Sequence, residues 1–235
     1  MLKTIGILGG MGPAATVLFF QRIVELTAAT HDQGHIPVLV FNNPQIPDRS
    51  EAILNNGLSP LQKLAESALV LQKSGADFIC IPCNTAHFWF CDLQNRIDIP
   101  IVHLIETVRE QAIQQCQNLS TIGLLATEGT IRSGLYQKVF DAFNIEVVSP
   151  DAEGVKALQK AIHGLKNKSR DCSTIQEIAK KMMKQQVQGI ILGCTELGLI
   201  ASDLQADIPI FDSIEVLARK AIRLASNWQE GDNTF

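Results

Sequence analysis

The chain has 235 residues, and 46% of them are hydrophobic, which is enough to bury a sizeable core. Its formal net charge is −4, so the sequence gives no reason to expect nucleic acid or an anionic membrane as a partner. No N-terminal stretch resembles a signal peptide, and no run approaches the ~20 apolar residues of a membrane span. We therefore expect a cytoplasmic protein whose six cysteines are free thiols.

The first half of the chain alternates short apolar runs with longer amphipathic segments, which is the pattern of a parallel sheet flanked by helices. We predict strands at 3–9, 36–42, 77–82 and 99–102, and helices at 13–29, 59–74, 85–95 and 104–117. The proline-containing segment 44–50 follows the second strand and is predicted to be a loop at the carboxyl edge of the sheet.

The second half shows the same alternation. We predict strands at 120–126, 145–149, 188–193 and 208–211, and helices at 131–143, 152–163, 173–185 and 213–226. Three motifs recur in the same order in the two halves: 3–9 with 120–126, Cys83 with Cys194, and 98–101 with 207–210. The sequence therefore predicts an α/β protein made of two copies of one unit.

Cys83 and Cys194 occupy matching positions in this repeat. Each follows a buried strand and precedes a hydroxyl residue and a helix-like stretch. Ligands bind beyond the carboxyl ends of parallel strands, and a helix N-terminus lowers the pKa of a cysteine thiol. A single buried cysteine is usually ordinary core, but a matched pair indicates two acid/base groups that face each other across a cleft. Such a pair suits moving a proton from one face of a carbon to the other.

Two other cysteine chemistries are weaker readings of the same region. Cys80 and Cys83 have C-x-x-C spacing, but a zinc site needs two more ligands and Cys80 lies inside the predicted strand. His87 lies one helical turn beyond Cys83, so a Cys–His thiol hydrolase stays open as an alternative. The same histidine can equally pack or hydrogen-bond locally, and nothing in the second half mirrors it.

The glycines after the first strand fit G-x-G-x-x-A, the signature of dinucleotide binding. That motif requires an acidic residue at the end of the second strand, where this chain has Phe41-Asn42-Asn43. Pro13 also removes one backbone donor from the turn. A tight strand-to-helix turn, with N–H groups free for some anion, is the simpler interpretation.

Five motifs together resemble the aspartate/glutamate racemase superfamily, and within it the aspartate racemase and broad-specificity amino-acid racemase branch. They are Ile-Gly-Ile-Leu-Gly-Gly-Met-Gly-Pro at 5–13, Pro-Asp-Arg-Ser at 47–50, Pro-Cys-Asn-Thr-Ala-His at 82–87, Gly-Leu-Leu-Ala-Thr at 123–127 and Gly-Cys-Thr-Glu at 193–196. Ser50 stands where the branch more often has threonine. Glutamate racemases proper carry Asp-Ser after the first strand and His after the second Cys-Thr, where this chain has Gly10-Met11 and Glu196. This difference favours the aspartate or broad-specificity branch.

The resemblance implies two pseudo-symmetric domains, at 1–103 and 104–211, with the active site in the cleft between them. It implies that the C-terminal segment 212–235 packs back on the first domain. It also implies a homodimer that acts on a small-molecule amino acid without any cofactor or metal.

The resemblance also assigns roles to individual residues. Cys83 and Cys194 become the two proton donors and acceptors, and Arg49, assisted by Lys166, binds a substrate carboxylate. The expected contacts to the rest of the substrate are Asn84, Thr85 and Thr195 for the α-carboxylate and amine, Met11 and Thr127 lining the cleft, and Asp48 and Glu196 as further binding residues. The resemblance thus implies a cofactor-independent racemase of aspartate, or of aspartate and glutamate, with a two-base mechanism. The alternatives are a racemase of broad or non-aspartate specificity, a related cysteine-dependent isomerase, and a non-catalytic small-molecule binding protein.

Overall fold

The computed structural model describes residues 2–167 and 169–226, and it contains two separate parallel sheets. Residues 227–235, the end of the segment predicted to pack on the first domain, lie outside the described residues. No helix in the described ranges is both long and apolar enough to cross a membrane.

The first sheet has three strands in the order β2-β1-β3. The strands are β1 (Ile5–Gly9), β2 (Val38–Asn42) and β3 (Phe78–Cys80). The helices of this half are α1 (Pro13–Leu26), α2 (Arg49–Leu54), α3 (Leu61–Lys73), α4 (Phe90–Gln94) and α5 (Leu104–Gln115). The predicted strand at 99–102 is reduced to one parallel bridge, from Ile101 to Ile79.

The second sheet has four strands in the order β5-β4-β6-β7. They are β4 (Thr121–Ala126), β5 (Glu146–Val148), β6 (Ile190–Gly193) and β7 (Ile210–Asp212). The helices are α6 (Glu128–Arg132), α7 (Leu135–Asp141), α8 (Ala152–Lys166), α9 (Ser173–Met183) and α10 (Ser213–Ser226).

The two sheets confirm the internal repeat. In each sheet the strand that opens the repeat, β1 or β4, lies between the next strand and the strand that leads to a cysteine. The Ile101 bridge then occupies the place that β7 has beside β6. All residues of β1 and β6 are buried, as expected for parallel strands covered by helices on both faces.

Three further predicted elements differ from the structure. The segment 44–50 was predicted as a loop, but α2 begins within it at Arg49, because the Asp48 carboxylate accepts the Glu51 N–H at 2.9 Å and caps the helix. The predicted helix at 85–95 begins as a 3₁₀ helix, Thr85–Trp89. The predicted helix at 131–143 is split into α6 and α7 at Gly134, whose φ of 66° is left-handed.

The C-terminal helix α10 belongs to the core of the first sheet, although it follows the last strand of the second. Its buried face includes Leu217, Ala218 and Ala221, which pack in one cluster with Phe19 and Ile23 of α1. This contact ties the last described element to the first half of the chain. The domain boundaries at 103/104 and 211/212 stay predictions.

Candidate active site

A cavity of about 290 Å³, including the part open to solvent, lies where the carboxyl ends of strands from both sheets meet. Only about 20 Å³ of it can hold the centre of a water-sized molecule, far less than the roughly 300–1,000 Å³ of open ligand pockets, so the cavity is nearly closed in this structure. Every residue that the sequence predicted for the site lines it, and Ser50 joins them: Met11, Asp48, Arg49, Ser50, Cys83, Asn84, Thr85, Thr127, Lys166, Cys194, Thr195 and Glu196.

The two cysteines reach the cavity from equivalent places. Cys194 directly follows β6, Cys83 lies three residues beyond β3, and each is only 5% exposed. Each precedes a 3₁₀ helix, Thr85–Trp89 or Thr195–Asp203, where the sequence indicated a helix-like stretch.

The pKa of Cys194 is raised, which corrects the expectation of a lowered value at this position. Burial raises the pKa of this thiol well above its usual range, and the charge of Glu196 raises it further, whereas Lys166 acts in the opposite direction. The thiol donates a hydrogen bond from Sγ to Oε2 of Glu196 at 3.1 Å. Cys194 is therefore protonated in the resting site.

Hydroxyl groups join the two halves at the floor of the cavity. Thr85 Oγ1, from the first half, lies 3.2 Å from Thr127 Oγ1 and 2.8 Å from Thr130 Oγ1, both from the second. Close by, a Cβ added to Gly129 of α6 would lie only 2.6 Å from Ser50 Oγ of α2. The absence of a side chain at Gly129 therefore lets α2 and α6 approach each other across the cavity.

Asn84 is held by two residues that the sequence did not single out. Tyr136 donates its hydroxyl to Asn84 Oδ1 at 2.6 Å, and Asn84 Nδ2 donates to Ser213 Oγ at 3.1 Å. Ser213 in turn donates to the Leu192 carbonyl at 2.8 Å. Burial raises the pKa of Tyr136, so it stays a donor. No local motif reveals Tyr136 or Ser213, because the partners come from distant segments.

Arg49 is buried at the first position of α2 and is held by backbone carbonyls. Nη1 donates to the Ile46 and Pro47 carbonyls at 3.3 and 3.0 Å, and Nη2 donates to the Met11 carbonyl at 3.2 Å. Its Nε is buried and has no hydrogen-bond partner among the described residues. The guanidinium therefore brings a positive charge to the cavity wall, where the Asp48 carboxylate is the neighbouring negative group.

Lys166 supplies a second cation from the opposite half. It is the last residue of α8, which extends three residues beyond its predicted end at 163. Asp48 lies in the field of both cations. Burial by itself would raise the pKa of the Asp48 carboxyl. The hydrogen bond from the Glu51 N–H and the charges of Arg49 and Lys166 outweigh burial, so the pKa is lowered.

His87 does not form a catalytic pair with the Cys83 thiol. Its Nε2 accepts the Leu104 N–H at 3.1 Å, so its Nδ1 carries the proton and donates to the Cys83 carbonyl at 2.9 Å. Burial, reinforced by the charge of His103, lowers the pKa of His87 to about 4. Both ring nitrogens are occupied by backbone groups, which argues against the thiol-hydrolase alternative.

The two remaining motifs are structural. Cys80 is fully buried in β3, where burial raises the pKa of its thiol, and the described residues contain no cluster of three or more metal-binding side chains. In the glycine turn, Gly10 has a φ of 102°, and its N–H donates to Thr16 Oγ1 at 2.9 Å. That donor is already satisfied within the turn and is not free for a phosphate.

A larger groove, of about 1,050 Å³ including the part open to solvent, lies beside β3, α5 and α10. Its lining includes Lys3, Phe78, His103, Glu106 and Lys220 but no cysteine. The cavity with both thiols is the better candidate for proton-transfer chemistry.

Comparisons with known proteins show which family the chain resembles. The model of the Asp/Glu/Hydantoin racemase family matches residues 8–221. The broad specificity amino-acid racemase RacX of Bacillus subtilis is 28% identical over 224 residues, which are 93% of this chain and 96% of that protein. The structure of aspartate racemase from Picrophilus torridus is 33% identical, with a TM-score of 0.86 over 95% of this chain and 94% of the other. An aspartate racemase homologue from Pyrococcus horikoshii is 26% identical, with a TM-score of 0.77 over 96% of this chain and all of the other.

Proposed function

The chain belongs to the Asp/Glu/hydantoin racemase family and is an amino-acid racemase, and we propose that it interconverts L- and D-aspartate without a cofactor, using Cys83 and Cys194. One observation carries the proposal. Two cysteines from equivalent positions of the two halves line the same small cavity. A proton can then leave one face of the α-carbon and return to the other.

In the proposed mechanism, one thiolate removes the α-proton and the opposite thiol delivers a proton. Cys194 rests as a thiol because Glu196 accepts its hydrogen bond, so Cys83 is proposed to begin as the base. After one turnover the proton has changed sides, and the pair must be treated as one unit that holds a thiolate and a thiol. The carbanion would be stabilised by the donors around the α-carboxylate, for which we propose Asn84, Thr85 and Thr195.

Aspartate is favoured as the substrate by the two cations of the cavity. Arg49 and Lys166 come from different halves and line the cavity together. A second carboxylate on the substrate would satisfy this positive charge, with hydrogen bonds that are stronger than those between neutral groups. The similarity to the Picrophilus torridus aspartate racemase supports the same substrate.

The second candidate is a racemase of broader specificity. The similarity to RacX of Bacillus subtilis, over almost the whole of both chains, favours it. In that case Arg49 and Lys166 would bind mainly the α-carboxylate, and substrates with neutral side chains would also be accepted. A homodimeric assembly in the cytoplasm belongs to either version of the proposal.

The test is proton NMR of the purified protein with L-aspartate in deuterated water, with no cofactor added and with the chirality of the product measured. Loss of the α-proton signal together with formation of D-aspartate is the expected result. Exchange with neutral amino acids at comparable rates would favour the broad-specificity candidate. Absence of exchange with every amino acid, with both cysteines reduced, would refute the two-cysteine mechanism.

A further inference from the structure

Glu196 is a carboxylate buried at the cysteine end of the cavity, and one of its oxygens is unpaired. The residue is 2% exposed. Its Oε2 accepts hydrogen bonds from Cys194 Sγ at 3.1 Å and from Thr195 Oγ1 at 3.4 Å. Its Oε1 is buried and has no partner among the described residues. Burying a carboxylate oxygen without a donor is costly, so a cationic ligand group would gain from binding there.

The position of this oxygen selects the part of the substrate that it can reach. A proton-transferring sulfur has to come within roughly 3–3.5 Å of the α-carbon. Since Cys194 Sγ is itself 3.1 Å from Glu196 Oε2, the carboxylate lies next to the substituents of the α-carbon and not at the far end of the side chain. Of those substituents the ammonium group alone is a cation, and it carries three hydrogen-bond donors.

The other charged groups of the cavity are less suited to bind an ammonium group. Arg49 and Lys166 are positive and would repel an ammonium group. The Asp48 carboxylate is used to cap α2, where it accepts the Glu51 N–H at 2.9 Å. Among the cavity residues this leaves Glu196 as the carboxylate with a free oxygen at the reacting carbon.

Gly12 leaves room in front of this oxygen. A Cβ built on Gly12 would make a tight contact of 3.2 Å with Glu196 Oε1, and apart from the adjoining residues of the chain no other atom among the described residues lies within 4 Å of it. The space beside Oε1 is therefore bounded on this side by backbone alone, and a methyl group at position 12 would enter it.

We propose that Glu196 Oε1 binds the α-ammonium group of the substrate and makes the site select amino acids over the same acids without the amine. This inference rests on the proposed function and assigns to Glu196 the role of a specificity-determining residue.

The test is calorimetric binding of aspartate and of succinate, the same dicarboxylate without the amine. Racemic aspartate is used, so that turnover does not change its composition during the titration. The wild type is expected to prefer aspartate. In Glu196→Gln we expect this preference to fall about ten- to a hundredfold, because one charged hydrogen bond is lost, while succinate binds as well as before or better.

Three variants separate direct binding from other effects. Glu177→Gln makes the same chemical change on the exposed face of α9 and should leave both affinities unchanged. Cys194→Ala removes the thiol contact of Glu196 and should keep the preference for aspartate. Gly12→Ala keeps the carboxylate but fills the space before it, so it should weaken the binding of aspartate more than the binding of succinate. This variant still tests the inference if Glu196→Gln does not fold.

The outcomes distinguish this inference from the proposed function. Equal weakening of aspartate and succinate in Glu196→Gln, or an unchanged preference, would overturn the role of Glu196 while racemisation stands. If glutamate and glutarate show the preference and aspartate and succinate do not, Glu196 keeps its role and the proposed substrate is wrong. A wild type that prefers neither amino acid over its deaminated analogue would refute the ammonium site.

Discussion

The His87 ring connects the Cys83 carbonyl, at 2.9 Å, to the first N–H of α5, at 3.1 Å. It therefore fixes the backbone that carries one catalytic candidate against the helix that leads into the second half. A protonated ring could not accept the Leu104 N–H, because both ring nitrogens would then be donors.

This arrangement predicts acid sensitivity. Since the pKa of His87 is about 4 in the folded protein and about 6.5 in an unfolded chain, the unfolded state binds more protons between these values. Stability then falls as the pH drops from about 6.5 to 4, by about 3 kcal/mol in total for this group. Urea unfolding at several pH values should show that His87→Gln loses less stability than the wild type, or gains stability, as the pH falls from about 6.5 to 4.

The wild type and His87→Gln have to be compared because Asp212 affects the pH dependence of stability in the opposite direction to His87. Burial raises its pKa from 3.8 to about 6, so this group adds stability as the pH falls through that window. His163→Gln, an exposed change on α8, is the matched control and should keep the wild-type dependence. Identical slopes in the wild type and His87→Gln would show that the ring does not titrate as described.

Replacement of either Cys83 or Cys194 by alanine is expected to abolish racemisation, with a loss of at least about 10²–10⁴-fold in the rate, since each thiol acts as acid or base in every turnover. Chiral chromatography of the product measures the effect. Cys91→Ala, at an exposed position on α4, should be as active as the wild type. Near-normal turnover with a single cysteine would contradict the two-base mechanism.

Replacement of Lys166 by alanine is expected to lower kcat/KM for aspartate about ten- to a hundredfold and to affect alanine less, because aspartate brings the second carboxylate. The ratio of the two kcat/KM values is the readout. Lys160→Ala, an exposed lysine on the same helix, provides the control. An unchanged ratio would remove Lys166 from substrate recognition.

Replacement of Arg49 by alanine should likewise lower kcat/KM most for dicarboxylic substrates, and it should also destabilise the protein. Alanine at this position would leave the Ile46, Pro47 and Met11 carbonyls without a donor. Each orphaned group costs about 1–3 kcal/mol. The substrate ratio is therefore to be measured on protein whose folding has been checked by thermal unfolding. A ratio equal to that of the wild type would mean that Arg49 is not the side-chain clamp.

Tyr136→Phe is expected to cost about 1–2 kcal/mol of stability, because it leaves Asn84 Oδ1 buried without its donor. Activity should fall as well, since Asn84 is proposed to bind the α-carboxylate. A double-mutant cycle with Asn84→Ala, followed by urea unfolding and by kcat/KM, isolates the pair. Additive effects in both measurements would show that the two residues are independent.

The repeat and the fold class could be predicted from the sequence, because both depend on local periodicity. Apolar runs of strand length between amphipathic segments predicted two parallel sheets, and all seven strands of the structure overlap a predicted strand. The errors are confined to short elements. The Asp48 cap that starts α2 and the left-handed Gly134 that divides α6 from α7 each depend on the conformation of one residue, which a periodicity does not encode.

The sequence by itself also indicated that Cys83 and Cys194 lie at the carboxyl edges of the sheets, since each follows a strand. Other cavity residues, such as Lys166 at the end of α8, were predicted from the resemblance to the racemase superfamily. The tertiary structure decided how those residues are paired. In the folded chain His87 hydrogen-bonds the backbone, and Asn84 hydrogen-bonds Tyr136 and Ser213. Cys194 donates a hydrogen bond to Glu196. The physical reason is that hydrogen bonds and desolvation depend on neighbours brought together by packing, from segments far apart in the chain.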